Sequence, residues 1–332
     1  MRVVFLCPHS RISGGVKVIF KLAQGLRKKN IETFVSLKKF NDRSLSWLAG
    51  DIPEDMILED KDPSYQSLPE CDIVVNNGDG DPYIPLHPRT KHVLLLQNFG
   101  VHEVVTEHNN LLYPYDAVIA VSNWLVRLSK QCGHRNVFLM HPGIDNTFGP
   151  VLVPKPKIPI VGSLHHSLPA KNNPLFEATM QSLILKNRTI VRPLLLSAKH
   201  MVPIQAFVQD NIFHTVIIDP PQSLLPSIYS SCTIWMSPAY REGFGLTTLE
   251  AMACGVPVIT LKNFGLDDYL IGNENCMLVK DKHEASAAII ELLGNQNLAT
   301  QIAKKGRELA NKFTWENTVK QFYNAIQEIS KK

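Results

Sequence analysis

The sequence lacks most of the features that would place it in a simple functional class. None of its six cysteines forms a C-x-x-C pair. A zinc site or disulfide framework is therefore not expected, and reduced thiols in a cytoplasmic protein are. No apolar run approaches the ~20 residues that cross a bilayer. The opening Arg2-Val-Val-Phe-Leu-Cys7 reads as a buried strand, not as a basic region before a cleavage site. The first strand is not followed by G-x-G-x-x-G, and the second, ending at Leu37, offers no acid for a ribose. That weakens a nicotinamide dehydrogenase reading. The P-loop pattern G-x-x-x-x-G-K-[ST] is absent as well. So is the basic stripe with interleaved aromatics of a nucleic-acid binder, and no nucleic-acid partner is expected.

Charged residues are also few, at 19 %, while 45 % of the 332 residues are apolar. That balance argues for much buried sheet and, with the length, for two domains. The formal net charge of +4 is unevenly placed. Residues 1–50 carry ten Lys/Arg against two Asp/Glu, and residues 51–82 carry one Lys against ten Asp/Glu. The basic residues between 27 and 43 (Arg27, Lys28, Lys29, Lys38, Lys39 and Arg43) offer a peripheral contact to an anionic membrane face. A solvated helix face is the commoner meaning of such a run.

Short apolar runs alternate with amphipathic stretches along the whole chain. In the first half the runs are 3–7, 33–37, 72–76, 92–96 and 117–121. Val16, Ile19, Phe20, Ala23 and Leu26 recur at helical spacing and predict a helix over 15–29. Ser122 is the expected N-cap of a helix over 124–131. Residues 142–159 carry five prolines and read as a linker. The alternation then restarts, with strands at 160–164, 194–197, 215–218 and 233–236 and helices at 174–186 and 223–231. Apolar strands alternating with helices imply parallel sheets covered on both faces. The expectation is an α/β chain of two Rossmann-like, doubly wound domains facing a central cleft. Residues 1–150 form the first and 151–312 the second, with a final helix over 313–332 packing back toward the first. Ligands of open α/β sheets bind beyond the carboxyl ends of the strands.

The segment that carries chemistry is SPAYREGFGLTTLEAMACGVPVIT, residues 237–260. A strand runs into the turn Glu242-Gly243-Phe244-Gly245, a helix follows over 246–253, and Gly255 ends it. The first amides of a helix have no partner within it, and glycines let a ligand approach the main chain. Together they suit a diphosphate. Glu242 precedes the helix and Glu250 lies a little over one turn inside it. A carboxylate can accept two hydrogen bonds at once, which matches the vicinal hydroxyls of a sugar or ribose.

These residues resemble the E-x7-E signature of retaining glycosyltransferases of the GT-B fold, and most nearly the group called family four. HPGIDNTFGP and SGGVKVIFKLAQGLRKKN resemble further stretches of that family, so the likeness runs through nearly the whole chain. The resemblance implies that Glu250 holds the donor ribose and that Glu242 contacts the transferred sugar near its reacting carbon. It implies that the amides of Phe244, Gly245, Leu246 and Thr247, beside Gly243, receive the diphosphate. Lys171 aligns with the family's phosphate-gripping lysine, and Gly14 and Gly15 would approach the phosphates from the first domain. The implied partners are a nucleotide-diphosphate sugar and a glycan or lipid-linked acceptor, with no cofactor and no metal.

Three departures stand out. Ser163 occupies the place of the family's phosphate-binding Arg; His165, His166 or Arg241 could supply the charge. Gln97, Asn98 and His102 replace a His-Asp type pair after the fourth main strand, so His102 is the catalytic candidate there and Gln97 and Asn98 line the sugar or acceptor pocket. Asp267 and Asp268 replace part of a Gly-Gly-x-x-Glu segment. They are candidates for sugar hydroxyls or for capping a following helix. A sugar-nucleotide epimerase of the same fold, or an inert homologue that binds a nucleotide sugar, are the rival readings.

Overall fold

The computed structural model describes residues 1–37, 45, 47–48, 52–59, 68–77, 88–98, 115–154, 156–198, 208–209 and 212–331. They fall into two compact units, one of Met1–Gly143 with Phe313–Lys332 and the other of Ile144–Lys312.

In the first unit, β1 (Arg2–Cys7) leads to α1 (Gly14–Arg27) and β2 (Glu32–Leu37). Then come β3 (Ile57–Glu59), β4 (Ile73–Asn76), β5 (Lys91–Leu96), β6 (Ala117–Ala120), α2 (Asn123–Gln131) and β7 (Val137–Leu139). The strands form one parallel sheet in the order β3-β2-β1-β4-β5-β6-β7. Strands β4 and β6 are buried along their whole length, as apolar runs in a sheet covered on both faces must be. β3 and β7 have only three residues each and escape a periodicity search. Ser122 does stand at the N-cap of α2 with extended backbone, but its side chain caps nothing and its buried hydroxyl has no partner among the described residues.

The second unit repeats the plan. Its elements are β8 (Ile160–Leu164), α3 (Asn173–Gln181), β9 (Arg192–Ser197), the antiparallel pair β10 (Val208–Gln209) and β11 (Ile212–Phe213), and β12 (Thr215–Ile218). Next are α4 (Leu225–Ser231), β13 (Ile234–Ser237), α5 (Leu246–Ala253), β14 (Val258–Leu261), β15 (Met277–Val279), α6 (Lys282–Gly294) and α7 (Gln296–Ala310). The main sheet runs β12-β9-β8-β13-β14-β15, and its strand pairs are parallel. The helix expected over 174–186 ends earlier: α3 stops at Gln181 and a π-helical turn, Ser182–Lys186, completes the stretch.

In both sheets strand order reverses beside the first strand, so the switch points lie between β1 and β4 and between β8 and β13. Much of the proline-rich stretch belongs with the second unit. Ile144 and Phe148 are buried, Phe148 edge-on to Tyr229, and the Val151 amide donates to Ser230.

The last helix, α8 (Trp315–Ile329), belongs to the first unit. Phe322 is fully buried and stacks on Phe5 of β1 with centroids 5.5 Å apart. A Cβ at Gly25 of α1 would overlap Val319, and one at Gly143 would overlap the backbone of Thr314 and Trp315. Those two glycines let the returning chain seat closely. Among the described residues no helix is long and apolar enough to cross a membrane.

Candidate functional site

The switch point of the second sheet opens a small pocket at the carboxyl ends of β8 and β13. Its lining includes Leu164, Trp235, Ser237, Ala239, Lys171, Glu242 and Thr247. This is where ligands of such sheets bind.

Lys171 and Glu242 are placed by hydrogen bonds between segments distant in sequence. Lys171 ends a 3-10 turn, Pro169–Lys171, and Asn172 follows it in the left-handed conformation at φ 54°. Asn172 Nδ2 donates to Pro238 O at 3.0 Å, and the Tyr240 amide donates to Ala170 O at 2.8 Å. The turn is thus stitched to the segment that leads into Glu242. Lys171 Nζ then reaches Glu242 Oε2 at 2.7 Å, with side-chain exposures of 18 % and 8 %. The two charges compensate each other in a largely buried place, the usual condition for keeping both.

Glu242 is backed by the loop after β14. Asn263 donates from Nδ2 to Ala239 O at 3.2 Å and accepts from the amides of Gly265 and Leu266, both at 3.2 Å. A Cβ at Gly265 would overlap the Glu242 carbonyl, so only glycine lets this loop close on the acid. The Tyr269 hydroxyl lies 2.9 Å from Phe244 O and 3.1 Å from Gly245 O, which holds the turn before α5. Burial pushes the Tyr269 hydroxyl pKa well above its ordinary value. It therefore remains a donor.

Gly245 is the N-cap of α5 at φ 83° and has no side chain to cap with. Its carbonyl takes the amides of Thr248 and Leu249. The amides of Leu246 and Thr247 donate to no carbonyl among the described residues, and Thr247 lines the pocket. They remain available to an anion. Glu250, buried in α5, accepts a 2.9 Å hydrogen bond on Oε2 from the Tyr229 hydroxyl.

The structure thus gathers Glu242, Gly243, Phe244, Gly245, Leu246, Thr247, Glu250 and Lys171 around one strand-to-helix turn. Ser163 is not among the pocket residues. It is 1 % exposed and its hydroxyl has no partner among the described residues. Alternation along β8 puts it on the face of Val161, which belongs to the core with Phe176, and opposite Leu164, which lines the pocket.

The candidate substitutes for the missing cation are His165, His166 and Arg241. Burial lowers the His165 pKa and its Nδ1 has no partner, so it is neutral near pH 7. His166 uses Nδ1 to accept the Leu168 amide at 3.0 Å, and Arg241 is exposed. Asp267 caps no helix. Residues 264–269 form hydrogen-bonded turns, and their opening is capped by Asn263 while Asp267 is exposed.

On the first unit, Gly14 and Gly15 open α1, and Gln97 follows β5. Gln97 Nε2 donates to Gly15 O at 3.1 Å, and a Cβ at Gly15 would stand 3.4 Å from that nitrogen. Asn98 is exposed. His102 lies outside the described residues, as do Lys38, Lys39 and Arg43 of the basic run. Of the others in that run, Arg27 is paired with Asp55 and Lys29 sits 5.3 Å from the Tyr323 ring centroid. No cluster of three or more candidate metal ligands occurs among the described residues. Two Asp-x-Asp triplets, Asp60-Lys61-Asp62 and Asp79-Gly80-Asp81, lie outside them.

Tyr229, Asn263 and Tyr269 were missed by sequence reasoning. Only Asn263, ahead of a glycine turn, carried a local signal.

Residues 205–309 match the family described as glycosyl transferases group 1. The O-antigen chain mannosyltransferase B of Escherichia coli is 34 % identical over 110 residues, which cover 32 % of this chain and 28 % of that protein. The chain spans about a third of the length of the curated relatives it matches. Among solved structures, sucrose-phosphate synthase of Thermosynechococcus elongatus superposes with a TM-score of 0.78 at 19 % identity, covering 99 % of both chains. Anabaena HepE in complex with UDP-glucose gives 0.76 at 19 % identity, covering 99 % of this chain and 100 % of that one. Likeness at that identity establishes the fold: this is a GT-B chain of two Rossmann-like units, and the stretch similar to glycosyl transferases group 1 lies in its second unit.

Proposed function

We propose that the protein transfers a sugar from a nucleotide-diphosphate donor to a glycan or lipid-linked acceptor, with retention of anomeric configuration. The observation that carries this reading is the meeting at one switch point of the Lys171–Glu242 pair and the free amides of α5, with Glu250 buried in that same helix. Glu250 takes the ribose hydroxyls, Glu242 a hydroxyl of the transferred sugar, and Lys171 with the amides of Leu246 and Thr247 the diphosphate. Charge develops on that diphosphate as the bond from its oxygen to the sugar's anomeric carbon breaks. Preset donors aimed at such charge lower the barrier. The acceptor oxygen bonds to that carbon on the same face, and its proton passes to the departing phosphate oxygen. On the first unit, Gly14 and Gly15 are proposed for the donor phosphates and Gln97 and Asn98 for the acceptor or the transferred sugar, with Asp267 of the second unit on the sugar side.

Because HepE is solved with UDP-glucose, UDP-hexoses are the first donors to test. With the donor that binds, Glu250→Ala is expected to raise KM about tenfold or more, and Glu242→Ala to lower kcat about a hundredfold. Unchanged steady-state constants in both variants would refute the assignment. The core-facing Ser163 supports a second reading, a chain that binds the nucleotide sugar without transferring it. Tight donor binding with no turnover in any acceptor extract would establish that reading, and turnover without acceptor would point to an epimerase.

A further inference from the structure

Glu250 does not stand alone in its helix. Its Oε2 is tied to the hydroxyl of Tyr229, which comes from α4 and has no exposed surface. The Tyr229 ring meets Trp235 edge-on at 4.9 Å between centroids and Phe148 edge-on at 6.0 Å. A ring packed between two others has little rotational freedom left to lose when a ligand arrives. Burial and the neighbouring Glu250 both raise the Tyr229 pKa well above its ordinary value, so the phenol keeps its proton and donates a hydrogen bond to the carboxylate. Glutamate's last torsion is broad, and an untethered carboxylate would sample many planes. One fixed oxygen sets that plane.

We infer that Tyr229 is a positioning residue for nucleotide recognition: it holds one oxygen of Glu250 and so aims the carboxylate at the vicinal hydroxyls of the donor ribose. This rests on the reading that Glu250 binds that ribose. Tyr229 touches no ligand itself, and it acts only through Glu250. Its contribution should therefore depend on whether the ligand has the hydroxyl that Glu250 reads.

The test is calorimetric binding of a ribonucleoside diphosphate and its 2′-deoxy counterpart to the full chain, using whichever of UDP, GDP or ADP binds. The wild type should prefer the ribose form by about tenfold or more, as expected for a hydrogen bond to a charged group. Tyr229→Phe keeps the ring and removes only the O–H. It should weaken the ribose form about tenfold, leave the deoxy form nearly unchanged, and so bring the ratio close to one. In turnover, KM for donor should rise while kcat holds. Equal weakening of both nucleotides would mean that Tyr229 merely supports the fold, and an unchanged preference would mean that it does nothing here. Either result overturns the inference.

If Tyr229→Phe does not fold, Glu250→Gln and the Tyr229→Phe/Glu250→Gln double variant complete the comparison. The double variant should then bind the ribose form no more weakly than Glu250→Gln alone, and a further loss counts against coupling. The outcomes also separate the two levels of the argument. A wild type that binds none of the nucleotides, or a Glu250→Ala variant that keeps the ribose preference, sinks the reading of Glu250 and this inference with it. A preference lost in Glu250→Ala but kept in Tyr229→Phe sinks the inference alone.

Discussion

At the scale of single residues, the candidate site is built from charges that are taken out of water only in company. Lys171 and Glu242 are 18 % and 8 % exposed and 2.7 Å apart. Removing one member leaves the other poorly solvated and unpaired, whereas removing both removes the problem. Lys171→Ala is expected to destabilise the protein by about 1–3 kcal/mol, the usual cost of an orphaned buried group. Adding Glu242→Ala should recover part of that loss. Urea unfolding of the two single variants and the double variant checks this, and strictly additive losses would show that the pair is not coupled. The glutamates of this site were legible because their spacing and glycine context are local in sequence. The Lys171–Glu242 bond joins residues 71 positions apart. The Tyr229–Glu250 and Asn263–Ala239 bonds join residues 21 and 24 apart. None of the three has a periodic signature. Ser163 shows the opposite failure. Alignment placed it at the phosphates, but strand alternation turns its side chain into the core.

At the scale of elements, the turn from β13 into α5 is where chain conformation and function meet. Gly245 has φ 83°, and a Cβ there would also overlap Leu266 and approach the Tyr269 hydroxyl at 2.9 Å. Gly133 has a similar φ of 88° but nothing within 4 Å of its would-be Cβ. The pair separates backbone strain from crowding. Gly133→Ala should cost about 1 kcal/mol, the left-handed penalty alone. Gly245→Ala should cost about 2–4 kcal/mol, since steric overlap is added, and should also weaken donor binding by shifting the amides of Leu246 and Thr247. Thermal unfolding and nucleotide binding measured side by side decide it, and equal losses in the two variants would remove crowding from the account. Long apolar strands and the helices α1, α2, α4 and α8 were readable from periodicity, whereas α6 and α7 carried no expectation. The strands β3, β7 and β15 were not readable, because three residues carry no period. The loop over 263–269 was legible as a departure from the family but not as the buttress of the turn, since its contacts run to a different strand end.

At the scale of the whole molecule, both units bury histidines that the native state keeps neutral. Burial lowers the pKa of His92 in the first unit and of His165 and His214 in the second, and His165 lowers His214 further. The facing groups are Asp116, which raises His92 by a smaller amount, and Glu177, whose Oε2 is 3.4 Å from His214 Nε2. In the unfolded chain these imidazoles titrate near 6.5. Above that pH neither state is protonated and the stabilisation is fully present. As pH falls through 6.5 the unfolded chain takes up protons that the native state resists, so stability declines until the depressed native values are passed. The paired carboxylates Glu32 and Asp55, and the helix-capping Asp281, are shifted downward from already low values. Their contribution is lost only at more acid pH and stays out of this window. Melting temperature should therefore drop steadily between pH 7 and pH 5.5. Changing His165 and His214 together to Asn should flatten that slope, even if it lowers stability at pH 7. Parallel slopes for wild type and variant would assign the acid sensitivity to other groups.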